Sequence, residues 1–381
     1  MPGVTKRKYD GETMRINKKL KRPLYIVAQI LPPNYNAKVL LDNFKEFYPF
    51  EWEEIVERCN HYLEKDKFLQ EVGKKERYRP PTPEKFFYEN SVVKNIMSKN
   101  FIEKHSAEYD DEKRNEILNE LKAKRSRKIE SKKNQIQEVQ ESMQNVEPYY
   151  VDVLISAYHQ KGITTEGKIE ILTEMGKFIC DKSIEFFHKI NDAERNNQIR
   201  NIAFEHLQKN GHYVKLRQKF KGKQKSYMVD TFNFDMTPKD LAKRLEMDSI
   251  QNKKRFGVFV SHRFLDAKIV REVVKILNAQ GLSCYCDWLS DDDFLKRSLV
   301  SSYTEEVLKK RLEQSDTLLF LRTENSMKDN KIDSPWIQLE LDHCSVLGKK
   351  IYCLDFINDG TSLPFTFLEF DLDKGLIDWS R

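Results

Sequence analysis

Four short apolar runs in the last third of the chain constrain its fold more than any other feature. They span residues 256–262, 281–288, 315–321 and 348–355, and helical segments separate them. Strands that alternate with helices form parallel sheets whose faces the helices cover. The pattern therefore predicts an α/β domain over residues 252–381, with a parallel sheet and flanking helices.

The segment before the last run begins a helix that carries an unusual pair of side chains. Ser334 is a good N-cap, and Pro335 suits the first helical position because its missing N–H is not needed there. Trp336 and Glu340 are four residues apart, so they share one helix face. Two interpretations stay open. Either Trp336 is a core residue with Glu340 at the rim of that face, or Glu340 is a functional carboxylate.

Taken in order, these pieces resemble a TIR domain of the kind found in prokaryotic defence proteins. The resemblance covers about a third of the chain, residues 252–381, and implies a flavodoxin-like sheet there. It says nothing about residues 1–251. The matching pieces are the strand Val258-Phe259-Val260-Ser261-His262, the helix with Asp266 near its start, the Gly-Leu-Ser-x-Tyr-x-Asp-Trp segment at 281–288, the Leu312-Glu313-Gln314-Ser315-Asp316 lead into the third strand, and the Ser-x-Trp-x-x-x-Glu helix.

The resemblance implies an activation-dependent NAD nucleosidase that acts in antiviral defence. In TIR domains that cleave NAD, a glutamate at this helix position carries the chemistry, and it corresponds to Glu340 here. NAD is then the substrate, and no cofactor and no metal ion are predicted. Such enzymes complete their sites by self-association, so we expect a homo-oligomer with TIR and helical contacts. The trigger is an unidentified partner, with nucleic acid as one candidate.

The chemistry of NAD cleavage explains why the site requires a carboxylate. Cleavage breaks the bond between nicotinamide and ribose, and the leaving group is already a cationic pyridinium that needs no general acid. A carboxylate near the ribose stabilises the positive charge that develops there. Glu340 fits this role if it faces a cleft, and Trp336, one turn earlier, is then a wall of that cleft.

Ligands of parallel sheets bind beyond the carboxyl ends of the strands. Arg263 and Arg322 are candidates for phosphate contact, whereas three consecutive acids at 291–293 would repel phosphate unless they point away. The alternative is purely structural: Ser261 and His262 cap the next helix, and Asp287 starts a turn. The predicted substrate-binding residues are Ser261, His262, Arg263, Asp287, Trp288, Arg322 and Trp336.

The first 251 residues are predicted to be a sensor or assembly region. Residues 1–22 are rich in Lys and Arg and predict a flexible basic arm. Residues 23–251 are mostly helical, with a long charged helix at about 108–146. Helices followed by a hairpin over residues 148–230 suggest a winged-helix-like part.

One face of that predicted hairpin is basic and consists of Lys215, Arg217, Lys219 and Lys221. A positive ribbon of this kind binds phosphates along a nucleic acid. The alternative is a solvated edge strand, because lysines protect sheet edges from aggregation. Two rival functions therefore stay open beside the enzyme: a non-catalytic TIR scaffold for assembly, and a nucleic-acid-binding regulator.

The cysteines and the lengths of the apolar runs indicate the cellular compartment. Cys284 and Cys286 alternate on a predicted strand and point to one face, but no second pair lies at metal-ligand spacing. Free thiols are typical of a reducing cytosol. No run approaches the ~20 apolar residues of a membrane helix, and the first residues lack the apolar core of a signal peptide. The sequence predicts a cytoplasmic protein with no membrane contact.

Overall fold

A computed structural model of the chain describes residues 4–214, 237–247, 249–292, 294–295 and 301–379. These residues form two compact units, one of 4–137 with 211–214 and one of 138–210 with the described residues from 237 onward. The predicted basic hairpin, with Lys215, Arg217, Lys219 and Lys221, lies outside the described residues apart from its first two positions. Its contact with nucleic acid therefore stays a prediction.

The first unit is helical. Its apolar side chains meet in one core cluster that includes Leu24, Phe44 and Phe87. The last helix is long and charged and contributes the buried Leu121 to that core. The helices are α1 (Val4–Ala28), α2 (Ala37–Phe47), α3 (Pro49–Glu71), α4 (Pro83–Glu89), α5 (Ser91–Ile96), α6 (Lys99–Ala107) and α7 (Asp111–Glu141), of which α7 continues into the second unit.

Helix α1 replaces the flexible arm that the sequence predicts over residues 1–22. Ile16, Leu20 and Leu24 follow one another at four-residue spacing and are at most 1% exposed. This spacing gives α1 an apolar stripe, and its many Lys and Arg side chains take the remaining surface. The prediction was wrong for the described residues because it counted charges and overlooked the stripe.

The second unit contains the remaining helices and a five-stranded sheet. The helices are α8 (Val151–Tyr158), α9 (Thr165–Met175), α10 (Asp181–Ala193), α11 (Asn197–Lys209), α12 (Pro238–Glu246), α13 (Ile250–Lys253), α14 (Ala267–Ala279), α15 (Asp287–Ser290), α16 (Ser302–Glu313) and α17 (Pro335–Val346). The strands are β1 (Phe256–Ser261), β2 (Cys284–Tyr285), β3 (Ser315–Arg322), β4 (Met327–Lys328), β5 (Lys331–Ile332), β6 (Ile351–Asp355), β7 (Thr366–Phe367), β8 (Phe370–Asp371) and β9 (Leu376–Ile377).

The strand order across the sheet is β2-β1-β3-β6-β7, and every neighbouring pair is parallel. Val258, Val260 and Leu319 share a core with Val273 and Leu277 of α14. Strand β1 is buried along its whole length, as expected for a strand with helices on both faces. The predicted α/β class is confirmed, with a mostly helical region before the sheet. Because the strands run the same way, their carboxyl ends meet at one edge.

Residues 138–210 pack with the sheet. The side-chain amide of Gln144 donates to the backbone carbonyl of Cys284 at 2.8 Å and accepts the backbone N–H of the same residue at 3.1 Å. Gln144 thereby satisfies backbone groups on the free edge of β2, which would otherwise offer a template for aggregation. The predicted domain boundary at residue 252 stays a prediction.

A buried polar network lies in the same unit and centres on Arg311 of α16. Both Arg311 and Asp291 are 0% exposed, and they form a bidentate ion pair at 2.8 and 2.9 Å. The other guanidinium N–H groups donate to Gln251 and to the Gln314 side chain at 2.7 to 2.9 Å, so all five donors have partners. Lys254, 1% exposed, pairs with Glu174 of α9 at 2.5 Å.

No helix among the described residues has both the length and the apolar character needed to cross a membrane.

Candidate functional site

Helix α17 begins as the sequence predicts. The Ser334 hydroxyl accepts the backbone N–H of Ile337 at 3.4 Å, and Pro335 occupies the first turn. This cap fixes where the helix starts, and therefore which residues face the sheet. The buried positions of the helix are Ile337, Glu340, Leu341 and Cys344. Glu340 is thus a carboxylic acid in an otherwise apolar buried stripe.

Trp336 and Glu340 have opposite environments. The Trp336 side chain is 37% exposed, whereas Glu340 is 8% exposed. The interpretation with Trp336 in the core and Glu340 at the rim is therefore wrong. Four residues advance a helix by slightly more than one turn, so two such residues can lie on either side of a burial boundary. The wall that Trp336 was predicted to form stays a prediction.

The Glu340 carboxyl meets the end of β1. The Ser261 hydroxyl, which is 0% exposed, donates to Glu340 Oε2 at 2.5 Å. Burial raises the pKa of Glu340 to about 8, the Ser261 hydrogen bond opposes that rise, and the negative charge of Asp287 adds to it. Near neutral pH this carboxyl is therefore mostly protonated while no positive charge lies beside it.

This raised pKa makes a prediction about stability. We expect Glu340→Gln to be more stable than the parent at alkaline pH. In the unfolded chain Glu340 ionises near the ordinary glutamate pKa of 4.5, but in the folded protein only near 8, so the parent loses stability as pH rises between these values. The loss is at most about 1.4 kcal/mol per pH unit and stops above the folded pKa. Thermal melts near pH 5 and near pH 9 measure it, and an equal difference at both ends would contradict the raised pKa.

His262 follows Ser261 and has a defined orientation. Its Nδ1 lies 2.9 Å from the backbone carbonyl of Val260, and its Nε2 accepts the indole N–H of Trp288 at 2.8 Å. A carbonyl only accepts, so Nδ1 carries the hydrogen and Nε2 presents its lone pair. The ring is thereby held with Nε2 toward α15.

Two further groups lie near the same nitrogen. The Cys286 sulfur is 3.8 Å from His262 Nε2, and Asp287 Oδ1 is 3.7 Å from it. Cys286 is fully buried, whereas the Asp287 side chain is 47% exposed. The structure thus brings together the ends of β1 and β2 with the buried carboxyl of α17. Of the predicted site residues, it gathers Ser261, His262, Asp287, Trp288 and Glu340.

Arg322 does not join this group. It is 0% exposed, and its guanidinium donates to both oxygens of Asp355 at 2.8 and 2.9 Å and to both oxygens of Asp359 at 2.7 and 2.8 Å. Two carboxylates occupy the terminal N–H groups with which a guanidinium would bind a phosphate. The structure therefore argues against the predicted phosphate contact of Arg322. Arg263 is half-buried before the short turn Phe264–Asp266, and its phosphate contact stays a prediction.

Asp266 joins the ends of β1 and β3. Its carboxylate accepts the Thr323 hydroxyl at 2.6 Å and the Asn325 side-chain amide at 2.6 Å. Asp291, the first of the three consecutive acids, points inward to Arg311 rather than toward the strand ends. The expected repulsion of phosphate therefore does not arise from Asp291, while Asp293 lies outside the described residues.

Comparison with known proteins decides the family. The chain is 47% identical over 380 residues to a putative cyclic ADP-D-ribose synthase, TIR2, of Cytobacillus dafuensis, covering 100% of this chain and 99% of that protein. This chain belongs to the prokaryotic TIR-domain family. It is also 31% identical over 139 residues to a probable 3' cyclic ADP-D-ribose synthase, ThsB', of Bacillus cereus strain MSX-D12, covering 36% of this chain and 67% of that protein. No family model and no solved structure matches the chain.

The TIR-domain protein has a cavity beside Trp288. Its volume is about 460 Å³, within the ~300–1,000 Å³ usual for small-molecule sites. Arg271 of α14 lies 5.4 Å from the centre of the Trp288 ring and also lines the cavity. Since Trp288 holds His262, a molecule in this cavity would contact a side chain that orients the site.

Cys286 is the residue of this TIR site that the sequence did not suggest. Cys286 and His262 are not separated by the spacing of a known metal or redox motif, so the cysteine pattern of the sequence did not indicate a site. A usable signal was present in the strand order. His262 directly follows β1, Cys286 directly follows β2, and these two strands are neighbours in the sheet. Residues that end adjacent parallel strands lie close together, whatever their separation along the chain.

Proposed function

We propose that this protein cleaves the nicotinamide–ribose bond of NAD and closes the remaining ADP-ribose into a cyclic product. The named activity of two relatives, one of them similar along the whole chain, supports the cyclic product. This goes further than the NAD nucleosidase that the sequence predicts, in which water takes the place of the internal nucleophile. Glu340 is the catalytic residue in this proposal.

The observation that carries the proposal is the buried Glu340 carboxyl at the carboxyl edge of a parallel sheet, bound by Ser261. When the bond between nicotinamide nitrogen and ribose C1′ breaks, the bonding electron pair leaves with nicotinamide, which becomes neutral. The positive charge moves to the ribose. A carboxylate fixed on a rigid helix stabilises that charge without reorganising, and a buried site strengthens the effect.

The products balance in two ways. In cyclisation, a nucleophilic atom of the same NAD molecule bonds to C1′, nicotinamide leaves, and one proton is released. In hydrolysis, water bonds to C1′ and likewise releases one proton, which gives linear ADP-ribose. The half-buried His262, Asp287 and Trp288 surround the exit of β1 and are suited to hold the ribose and exclude water.

Charge on the substrate resolves an apparent conflict. A carboxyl with a pKa of about 8 is mostly neutral at pH 7, yet catalysis needs the carboxylate. The pyridinium of NAD is a cation, and a cation nearby lowers the pKa of a buried acid. Binding of substrate therefore favours loss of the Glu340 proton, and the reactive form is assembled when NAD is present.

This coupling predicts the pH profile. We expect kcat/KM to rise about tenfold per pH unit below a break near pH 8 and to level off above it, because kcat/KM reports the free enzyme. Ser261→Ala should move the break to higher pH, because the hydroxyl lowers the pKa of Glu340. Initial rates of nicotinamide release across pH measure both. A break unchanged by Ser261→Ala would contradict this assignment.

The proposal is tested by incubating the full-length protein with NAD and separating nicotinamide, cyclic ADP-ribose and linear ADP-ribose. We expect nicotinamide and a cyclic product in equal amounts. Linear ADP-ribose as the main product would leave cleavage standing and remove cyclisation. Activation by a trigger through the N-terminal region, self-association and the defence role follow from the family resemblance and remain proposals of the same kind.

A further inference from the structure

We propose that His262, Cys286 and Asp287 form a Zn²⁺ site beside Glu340, and that the bound ion inhibits the enzyme. The three residues come from two neighbouring strand ends, and neither relative's name refers to a metal. The binding half of the proposal stands on geometry alone. The inhibitory half rests on the proposed function.

The geometry suits a small tetrahedral ion. His262 Nε2 is 3.8 Å from the Cys286 sulfur and 3.7 Å from Asp287 Oδ1, and one ligand atom from each residue lies within 4.8 Å of the others. Zinc bonds of ~2.0–2.3 Å at tetrahedral angles place ligand atoms about 3.3–3.6 Å apart. Small side-chain movements therefore close the site around an ion.

The environment of His262 supplies a second, independent observation. Metal-binding imidazoles almost always donate their other N–H to a carboxylate or a backbone carbonyl, which fixes the tautomer. Here Nδ1 donates to the backbone carbonyl of Val260 at 2.9 Å. Nε2 is consequently unprotonated, and it lies 3.8 Å from the Cys286 sulfur and 3.7 Å from Asp287 Oδ1 while it accepts the Trp288 indole N–H.

The ligand set selects the metal. A sulfur, an imidazole nitrogen and a carboxylate oxygen match Zn²⁺, whereas Mg²⁺ and Ca²⁺ prefer oxygen ligands alone. Binding breaks the S–H bond of Cys286, forms a Zn–S bond and releases one proton to solvent. Three protein ligands leave a fourth position for water.

Inhibition follows from what the ion removes. Zinc takes the Nε2 lone pair that now accepts the Trp288 indole N–H at 2.8 Å, so the Trp288 ring must move. It also takes Asp287, one of the side chains proposed to hold the ribose. The groups proposed to surround the ribose are then bound to metal instead.

Cobalt provides a probe of binding that does not depend on activity. Purified full-length protein, freed of metal with a chelator, is titrated with Co²⁺ and then with Zn²⁺. We expect one Co²⁺ per chain with a sulfur-to-cobalt charge-transfer band, and loss of that band as Zn²⁺ displaces cobalt. Cys286→Ala should abolish the band and weaken Zn²⁺ binding by more than the ~10–100-fold that loss of an outer-shell partner costs. Cys284→Ala is the matched control, since this buried thiol lies two residues earlier, on β2, and outside the cluster.

A second variant tests the site independently if Cys286→Ala does not fold. Asp287 is 47% exposed, so Asp287→Asn should fold normally and still weaken Zn²⁺ binding. Absence of the band in the parent, or an equal band in Cys286→Ala, overturns the site. NAD cleavage that persists at saturating Zn²⁺ overturns the inhibition. If no NAD is cleaved with or without the chelator, the proposed function and the inhibition fail together, and the binding result is unaffected.

Discussion

Replacing Glu340 by Gln should lower NAD turnover by about 10²–10³-fold, equivalent to about 3–4 kcal/mol of transition-state stabilisation. Gln keeps the shape of the side chain and a partner for the Ser261 hydroxyl, but it removes the negative charge that faces the developing ribose cation. Because the interaction is made mainly in the transition state, the loss should appear in kcat as well as in kcat/KM. Nicotinamide release by full-length parent and variant, under identical conditions, is the measurement.

Asp342→Asn is the matched control for this experiment. It removes one negative charge from the same helix, two residues away, at an exposed position. We expect its turnover to stay close to that of the parent. Thermal melts at neutral pH show whether each variant is folded. Equal turnover in the parent and Glu340→Gln would exclude the catalytic role of Glu340, whereas no turnover in either protein would favour the scaffold interpretation.

The second large effect is structural and concerns Arg311. We expect Arg311→Met to destabilise the protein by about 3–5 kcal/mol, because it leaves Asp291 ionised, buried and without its main partner. Burial by itself would raise the pKa of Asp291, but Arg311 and Lys254 outweigh burial and hold that pKa below its usual value. Loss of the guanidinium also removes the Arg311 hydrogen bonds to the side-chain oxygens of Gln251 and Gln314.

A pair of companion variants isolates the cause. Arg311→Met combined with Asp291→Leu removes both charges and should recover much of the lost stability, since replacing a buried pair by apolar groups is often nearly neutral. Lys275→Met breaks an exposed pair with Glu272, 55% and 56% exposed, and should change stability by less than about 1 kcal/mol. Thermal unfolding compares the four proteins. A double variant no more stable than Arg311→Met would show that lost packing, not the unpaired charge, is responsible.

The sheet and the start of α17 were predictable because they depend on local patterns. Apolar runs between helical segments imply parallel strands, and a Ser-Pro pair implies a capped helix. Both hold in the structure. Ser261 and Glu340 were also named from the sequence, although their hydrogen bond joins residues 79 positions apart, and only the fold brings them together.

The sequence did not predict which side chains are buried and which are exposed where an element lies between the core and the solvent. Trp336 and Glu340 are one turn apart, yet the acid is buried and the aromatic is exposed. Arg322 ends a strand at the expected edge, but two carboxylates from later in the chain, Asp355 and Asp359, hold it inside. In each case long-range partners decide the orientation, and a local pattern carries no information about them.

The amide of Gln144 on the edge of β2 bears on how the chain should be divided for laboratory work. A fragment that begins at residue 252 lacks Gln144, so the backbone N–H and carbonyl of Cys284 lose their hydrogen-bond partner. It also lacks Glu174, the carboxylate nearest to the Lys254 ammonium. Bare strand edges recruit other chains. A fragment that begins near residue 138 keeps both contacts. If the fragment that begins at residue 252 is insoluble, the cause is then the choice of its first residue, and the result says nothing about whether the enzyme is active.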